Sequence, residues 1–213
     1  MRLVCISDTH GDHEGLELPA GDVLIHAGDL SAHGSRDETL AFMKWLGSRG
    51  FNDTLCIAGN HDTFMEADPE MARQFAEDHG VLLLSDSGCQ LDGRQFWGSP
   101  ITPRFCNWSF MRDPGEPIEA HWRLIPDDTD VLITHGPPYG IMDQVKRPDG
   151  QLERTGCPSL LERVQSISPV THIFGHIHEG RGSFSQNGVT YFNVCTMNEH
   201  YQRTYEPVVI DLT

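Results

Sequence analysis

Short apolar runs, separated by amphipathic stretches, constrain this chain more than any other feature of its sequence. RLVCI at 2–6, DVLIHA at 22–27 and DTLCIA at 53–58 are too short for helices and rich in strand-forming residues. Between the second and third runs, 35–50 predicts a helix. Ser35 and Glu38 have capping-box spacing, Leu40, Met43 and Leu46 recur on one face, and Gly50 supplies a stop. Another helix is expected to open at Asp68-Pro69, an N-cap followed by proline at the first helical position, and to end at His79-Gly80. This is a β-α-β rhythm.

Further strands are expected at 81–84, 95–98, 130–134, 171–175, 189–194 and 207–212, and further helices at 118–124 and 158–165. The late strands come in hairpin-like pairs, so the expected class is α/β (α+β), with mixed sheets covered by helices. A chain of 213 residues with 38% apolar content closes one substantial core, which predicts a single domain over 1–213. Two Pro- and Gly-rich stretches, 99–116 and 136–157, are irregular loops of a length that often carries function.

Acidic residues outnumber basic ones 31 to 15, for a net charge of −16, and no basic stripe relieves it. Polymeric nucleic acid is bound through clustered Lys and Arg, so a long polyanion is a poor partner and a small molecule a better one. Six cysteines lie far apart without a Cys-x-x-Cys pair, the pattern of small buried thiols in a reducing compartment. The N-terminal apolar run is too short for a signal peptide, and no run approaches the roughly 20 residues of a membrane span. A cytoplasmic location without a membrane partner is expected. Nothing in the sequence sets the oligomeric state.

The chemistry lies where Asp, His and Asn fall relative to the strands. Asp8 and His10 follow the first run, Asp29 the second, Asn60 and His61 the third, His135 follows DVLIT, and His176 and His178 follow THIFG. In open α/β sheets ligands gather at strand carboxyl ends, so separate segments can deliver these groups to one place. Asp8 and His10 are two apart, as are His176 and His178, and residues i and i+2 of extended chain face the same side. Gly28, Gly59 and Gly175 immediately precede Asp29, Asn60 and His176, which allows sharp turns and close backbone approach. The donors are nitrogen and oxygen without sulfur, a set suited to two divalent ions: Mn2+ first, with Fe, Zn, Co, Ni or Mg as alternatives. A carboxylate such as Asp29 can bridge ions roughly 3.5–4 Å apart. Two such ions, two carboxylates and a hydroxide leave a local positive charge that would draw in a phosphate despite the acidic exterior.

SDTHG at 7–11, HAGDL at 26–30, AGNHD at 58–62, THGPP at 134–138 and FGHIH at 174–178 resemble, in order, the motifs of the calcineurin-like metallophosphoesterase superfamily. GDVLIHAGDL, WGSPITPRF, THGPPYGIMD, RTGCPSLLE and FGHIHEG resemble its metallophosphoesterase-domain-containing branch, known from animal brain, with bacterial relatives. The resemblance implies a two-layer mixed β-sandwich flanked by helices. It also implies a binuclear centre in which Asp8, His10, Asp29 and His178 hold one ion, and Asp29, Asn60, His135 and His176 the other. Some animal members carry glycine in place of His176; this chain has the full set.

The activity so implied is attack of a metal-bound hydroxide on phosphorus, with small phosphodiesters such as 2′,3′- or 3′,5′-cyclic nucleotides as substrates. The same centre would serve a phosphomonoesterase acting on proteins or nucleotides, and a silent metal-binding scaffold is the reading from another class. His61 is the candidate general acid, or else only orients a ligand, and Asp62 is expected to fix an imidazole tautomer. Phe96, Trp97, Phe105, Trp108 and Phe110 crowd the stretch around Arg104, either as a stacking wall or as loop packing. Arg104, His33, Trp108 and Tyr139 are the candidate substrate contacts.

Overall fold

In the computed structural model, which describes residues 1–212, strands β1 (Arg2–Ile6), β2 (Val23–Ala27), β3 (Asp53–Ile57) and β4 (Leu82–Leu83) lie parallel and in sequence order. Helices α1 (Arg36–Gly47), α2 (Thr63–Ala67) and α3 (Pro69–Asp78) fall between them. A hairpin of β5 (Ser87–Leu91) and β6 (Arg94–Ser99) opens the other half. Next come β7 (Thr102–Pro103) paired with β8 (Met111–Arg112), α4 (Glu116–Trp122), β9 (Val131–Thr134), the ribbon β10 (Gln144–Lys146) and β11 (Leu152–Arg154), and α5 (Pro158–Ile167). The chain ends with β12 (Thr171–Phe174), a 3₁₀ turn at His178–Gly180, β13 (Gly182–Gln186), β14 (Val189–Asn193) and β15 (Val208–Asp211). Two large sheets result, ordered β15-β1-β2-β3-β4 and β13-β14-β12-β9-β6-β5. Both are mixed: β6, β9, β12 and β14 run parallel, while β5, β13 and β15 are antiparallel edges.

Side-chain alternation explains how the sheets are covered. Leu3, Cys5, Ile25, Leu55 and Ile57 point toward Phe96, Val131, Ile133 and Ile173, forming a core between the sheets. Val4, Leu24 and Cys56 belong instead to a cluster with Phe42, Met43, Leu46 and Phe75 of α1 and α3. Leu132 and Phe174 join it with Trp122 of α4 and Leu160 and Val164 of α5. Strands buried on both faces read as unbroken apolar runs, and this is why the early runs show no polar alternation. Each buried Leu, Ile or Phe contributes roughly 1.5–3 kcal/mol.

The helix signals are met. Ser35 and Glu38 form the capping box of α1, and the Asp68 carboxylate accepts from Met71 N at the start of α3. The run at 81–84 shortens to Leu82–Leu83, and α4 starts at Glu116, ahead of the expected 118, because Gly115 turns the chain with φ 84°. Strands β5 and β13 were not expected. They are the partners of two-residue hairpins turned at Asp92-Gly93 (φ 47° and 78°) and Asn187-Gly188 (φ 53° and 83°). Positive φ at both central positions is the type I′ pattern that suits strand twist.

At one end the sheets are stitched together. Ser7 bridges to Cys195 in parallel fashion, with Ser7 N donating to Val194 O (3.1 Å) and Thr196 N to Ser7 O (3.0 Å). The carboxyl ends of β1, β2, β3, β9 and β12 therefore open onto shared ground. Among the described residues no helix is long and apolar enough to cross a membrane.

Candidate metal centre

The turns at those strand ends are unusual. Asp8, His10, Asp29 and His176 adopt positive φ, at 53°, 43°, 57° and 67°. For residues with a Cβ this region costs on the order of 1–3 kcal/mol, and such strain gathers where function demands a particular side-chain direction. Backbone bonds hold the turns in place: Asp8 N donates to Gly28 O (2.9 Å), His10 N to Asp29 O (3.1 Å) and Gly175 N to His135 O (2.9 Å). Gly59 and Gly175 are required by close approach. A Cβ at Gly59 would overlap the Asp29 carboxylate, and one at Gly175 would overlap that of Asp8.

Ligand-type atoms converge in groups whose members lie within 4.8 Å of one another: Asp8, His10 and His178; Asp29, His135 and His176; and His10, Asp29 and His61. Asp29 belongs to two of them. Its Oδ2 lies 3.3 Å from His135 Nε2 and 3.9 Å from His10 Nε2, while Asp8 Oδ1 lies 3.4 Å from His178 Nε2. Asn60 Oδ1 approaches His135 Nε2 at 3.0 Å. All seven residues expected to ligate metal are thus brought together.

Hydrogen bonds behind the donors orient them. His135 Nδ1 sits 3.0 Å from Ala27 O and His178 Nδ1 2.8 Å from Asn198 O, so each carries a proton on Nδ1 and turns its Nε2 inward. The Nε2 atoms of His10 and His178 face one another at 3.4 Å, and His10 Nδ1 is buried without a partner among the described residues. Facing imidazole nitrogens flanked by carboxylates fit a shared cation. Sulfur stays out of the set. Burial, followed by the Asp8 charge, pushes the Cys195 thiol far up, and its Sγ is 3.1 Å from Asp8 Oδ2 as a hydrogen-bond donor.

The electrostatics have the same logic. Burial works to raise Asp8 and Asp29, yet hydrogen bonding and charge from His178 and His135 hold both carboxyls below their ordinary range. Burial opposes a charge on His135, but Asp29 overrides it and pushes the imidazole up to about 9. His176, buried and facing His135, falls to about 4. The polypeptide alone therefore keeps a proton on His135 at neutral pH, which a divalent cation would have to displace.

Two expectations about neighbouring residues need correction or refinement. The Asp62 carboxylate does not fix an imidazole. It accepts from Ser31 Oγ (2.6 Å) and from the backbone N–H groups of Gly59 (2.8 Å), Ser31 (3.0 Å) and Leu30 (3.3 Å), tying the Asp29 turn to the Asn60 turn. Burial and the Asp29 charge raise it to about 7. His61 is anchored by its backbone, whose N–H donates to Asp29 Oδ1 at 2.8 Å, and its ring packs edge-on against His10 and Trp108, with centroids 4.5 and 4.2 Å away.

A cleft of about 520 Å³ opens over Asp29, Asn60, His176 and His178. Arg104 and Trp108 line it, as expected, together with Phe105. His33 and Tyr139 do not. The backbone N–H of His33 donates to Glu38 as part of the α1 cap, and the exposed Tyr139 ring lies 6.0 Å below the Arg154 guanidinium. The unforeseen lining residues include Tyr201, whose ring is 4.9 Å from that of His10, and Val145, Glu153, Arg154 and Thr155 on or beside the β10–β11 ribbon. Tyr201 follows no motif; Arg154 opens the RTGC segment.

Comparison with known proteins agrees with this geometry. The model of the calcineurin-like phosphoesterase family matches residues 1–180. Metallophosphoesterase domain-containing protein 1 of Homo sapiens is 38% identical over 235 residues, covering 99% of this chain and 71% of the relative. The UPF0046 protein K07C11.7 of Caenorhabditis elegans is 36% identical, covering 98% and 74%. The crystal structure of TT1561 of Thermus thermophilus superposes with a TM-score of 0.58 over 90% of this chain and 88% of its own, at 14% identity, a likeness of fold.

Proposed function

This chain belongs to the calcineurin-like phosphoesterases, metal-dependent hydrolases of phosphate esters, and from that premise we propose that its substrates are small phosphodiesters, cyclic nucleotides among them. The observation that carries the reading is that the Asp29 carboxylate stands between His10, 3.9 Å away and grouped with Asp8 and His178, and the His135–His176 pair, beneath a cleft of about 520 Å³. In this assignment Asp8, His10, Asp29 and His178 hold one ion and Asp29, Asn60, His135 and His176 the other, with Mn2+ the first choice. Bound divalent ions would supply the positive charge that neutralises phosphoryl oxygens and acidifies water for attack at phosphorus.

The chain's own residues supply the rest. His61, held through its backbone on Asp29 and packed against the cleft residue Trp108, donates a proton to the leaving oxygen. Trp108 offers its ring face to the organic part of the ester, and Arg104 offers a cation to the phosphate. A surface of net charge −16 favours small esters over long nucleic acid. Six unpaired cysteines suit a reducing cytoplasm, and the whole of 1–213 is taken as one domain without a membrane partner.

The competing reading is a phosphomonoesterase built on the same centre. Turnover of bis(4-nitrophenyl) phosphate and 4-nitrophenyl phosphate by the Mn-loaded protein separates the two. The diester should have the higher kcat/KM; a clear preference for the monoester overturns the proposal.

A further inference from the structure

Arg154 stands apart from the metal-ligand cluster. It comes from β11, and none of its hydrogen bonds reaches the histidines or carboxylates below. Its Nη1 donates to Asp143 Oδ1 at 2.7 Å, and Asp143 is fully buried. The other carboxylate oxygen of Asp143 accepts from Gly140 N (2.8 Å) and Gly156 N (3.3 Å), and the Thr155 hydroxyl donates to its carbonyl (3.1 Å). Burying a carboxylate costs several kcal/mol unless it is paired, and this one is used to fix a guanidinium that remains 42% exposed at the cleft.

Such anchoring leaves a fork in reserve. Among the described residues, Nε and Nη2 of Arg154 donate to no protein group, whereas Arg104 spends Nε on Asp113 and Nη2 on Met111 O. The acid beside it in the cleft, Glu153, is neutralised by Arg147. A rigid guanidinium with a free edge is suited to bidentate recognition of a phosphate or carboxylate. The cleft, at about 520 Å³, also has room beyond a single phosphoryl group.

We propose that Arg154, positioned by Asp143, binds a second phosphate on the substrate, distinct from the one cleaved at the metal centre. The preferred esters are then nucleotides carrying an additional phosphate. This rests on the phosphoesterase site described above and narrows its substrate class.

Calorimetric titration of the Mn-loaded protein with adenosine 3′,5′-bisphosphate and with adenosine 5′-monophosphate tests it. The wild-type protein should bind the bisphosphate about tenfold or more tightly than the monophosphate, the increment expected of one charge-assisted contact. Arg154→Gln should bring the two affinities together, and Arg154→Lys, which keeps the charge without the fork, should recover only part of the difference. Arg123→Gln, on the distant α4 end, should leave it intact. Equal or undetectable affinities in the wild type, or a difference that survives Arg154→Gln, overturn the proposal. The aryl phosphate comparison uses neither nucleotide, so the diester reading can fail or stand independently of this one.

Discussion

Asp29 is constrained in three ways: left-handed backbone, a carboxylate shared between two groups of ligand atoms, and Gly59 kept free of a side chain beside it. Gly59→Ala should therefore damage the centre before it damages the fold. We expect loss of metal, read by plasma emission spectrometry, alongside a destabilisation of roughly 1–3 kcal/mol, the usual cost of overpacking. His61→Ala should retain the metal but lower kcat by about 10²–10⁴, the typical worth of a general acid. Unchanged turnover in a fully metallated variant would refute the acid role. At this scale the convergence of the seven candidate ligands was legible because each follows a strand end, where backbone topology alone decides which segments meet. Asp62, His33 and Tyr139 were not, because side-chain direction on a loop depends on which backbone N–H or ring it meets. Asp62 finds three backbone donors and Ser31, and no imidazole.

Among elements, α1 shows how local signals fix a structure near the site without belonging to it. Ser35 caps α1, and Glu38 reaches back to Ser35 N and also accepts from Ala32 N and His33 N. Ser35→Ala should cost about 1 kcal/mol in a thermal or urea melt while leaving metal content unchanged. A loss of metal would show that the cap also shapes the Asp29 loop. Helices with such caps were readable in advance. Strands β5 and β13 were missed although Asp92-Gly93 and Asn187-Gly188 are strong hairpin signals. Their burial patterns, largely exposed or half-exposed, lack the apolar runs that revealed the inner strands. The β10–β11 ribbon escaped for the same reason, and with it the position of Arg154.

Across the whole molecule, two sheets and their helices bury histidines that must stay neutral. Burial lowers both His26 and His172 to about 3. An unfolded histidine titrates near 6.5, so the folded state binds fewer protons than the unfolded one between these values. Stability therefore falls as pH drops from about 6.5 toward 3, by up to roughly 1.4 kcal/mol per pH unit for each histidine. His172→Gln, which keeps a donor for Thr134, should flatten that acid limb by about one proton in urea melts run from pH 6 to pH 4. An unaltered slope would mean that His172 is not held neutral.

Whether two ions share Asp29 can be read without any assay of turnover, by anomalous diffraction from Mn-soaked crystals. Two peaks are expected, about 3.5–4 Å apart, with the Asp29 carboxylate between them. One peak, or two peaks that do not both touch Asp29, would contradict the shared centre.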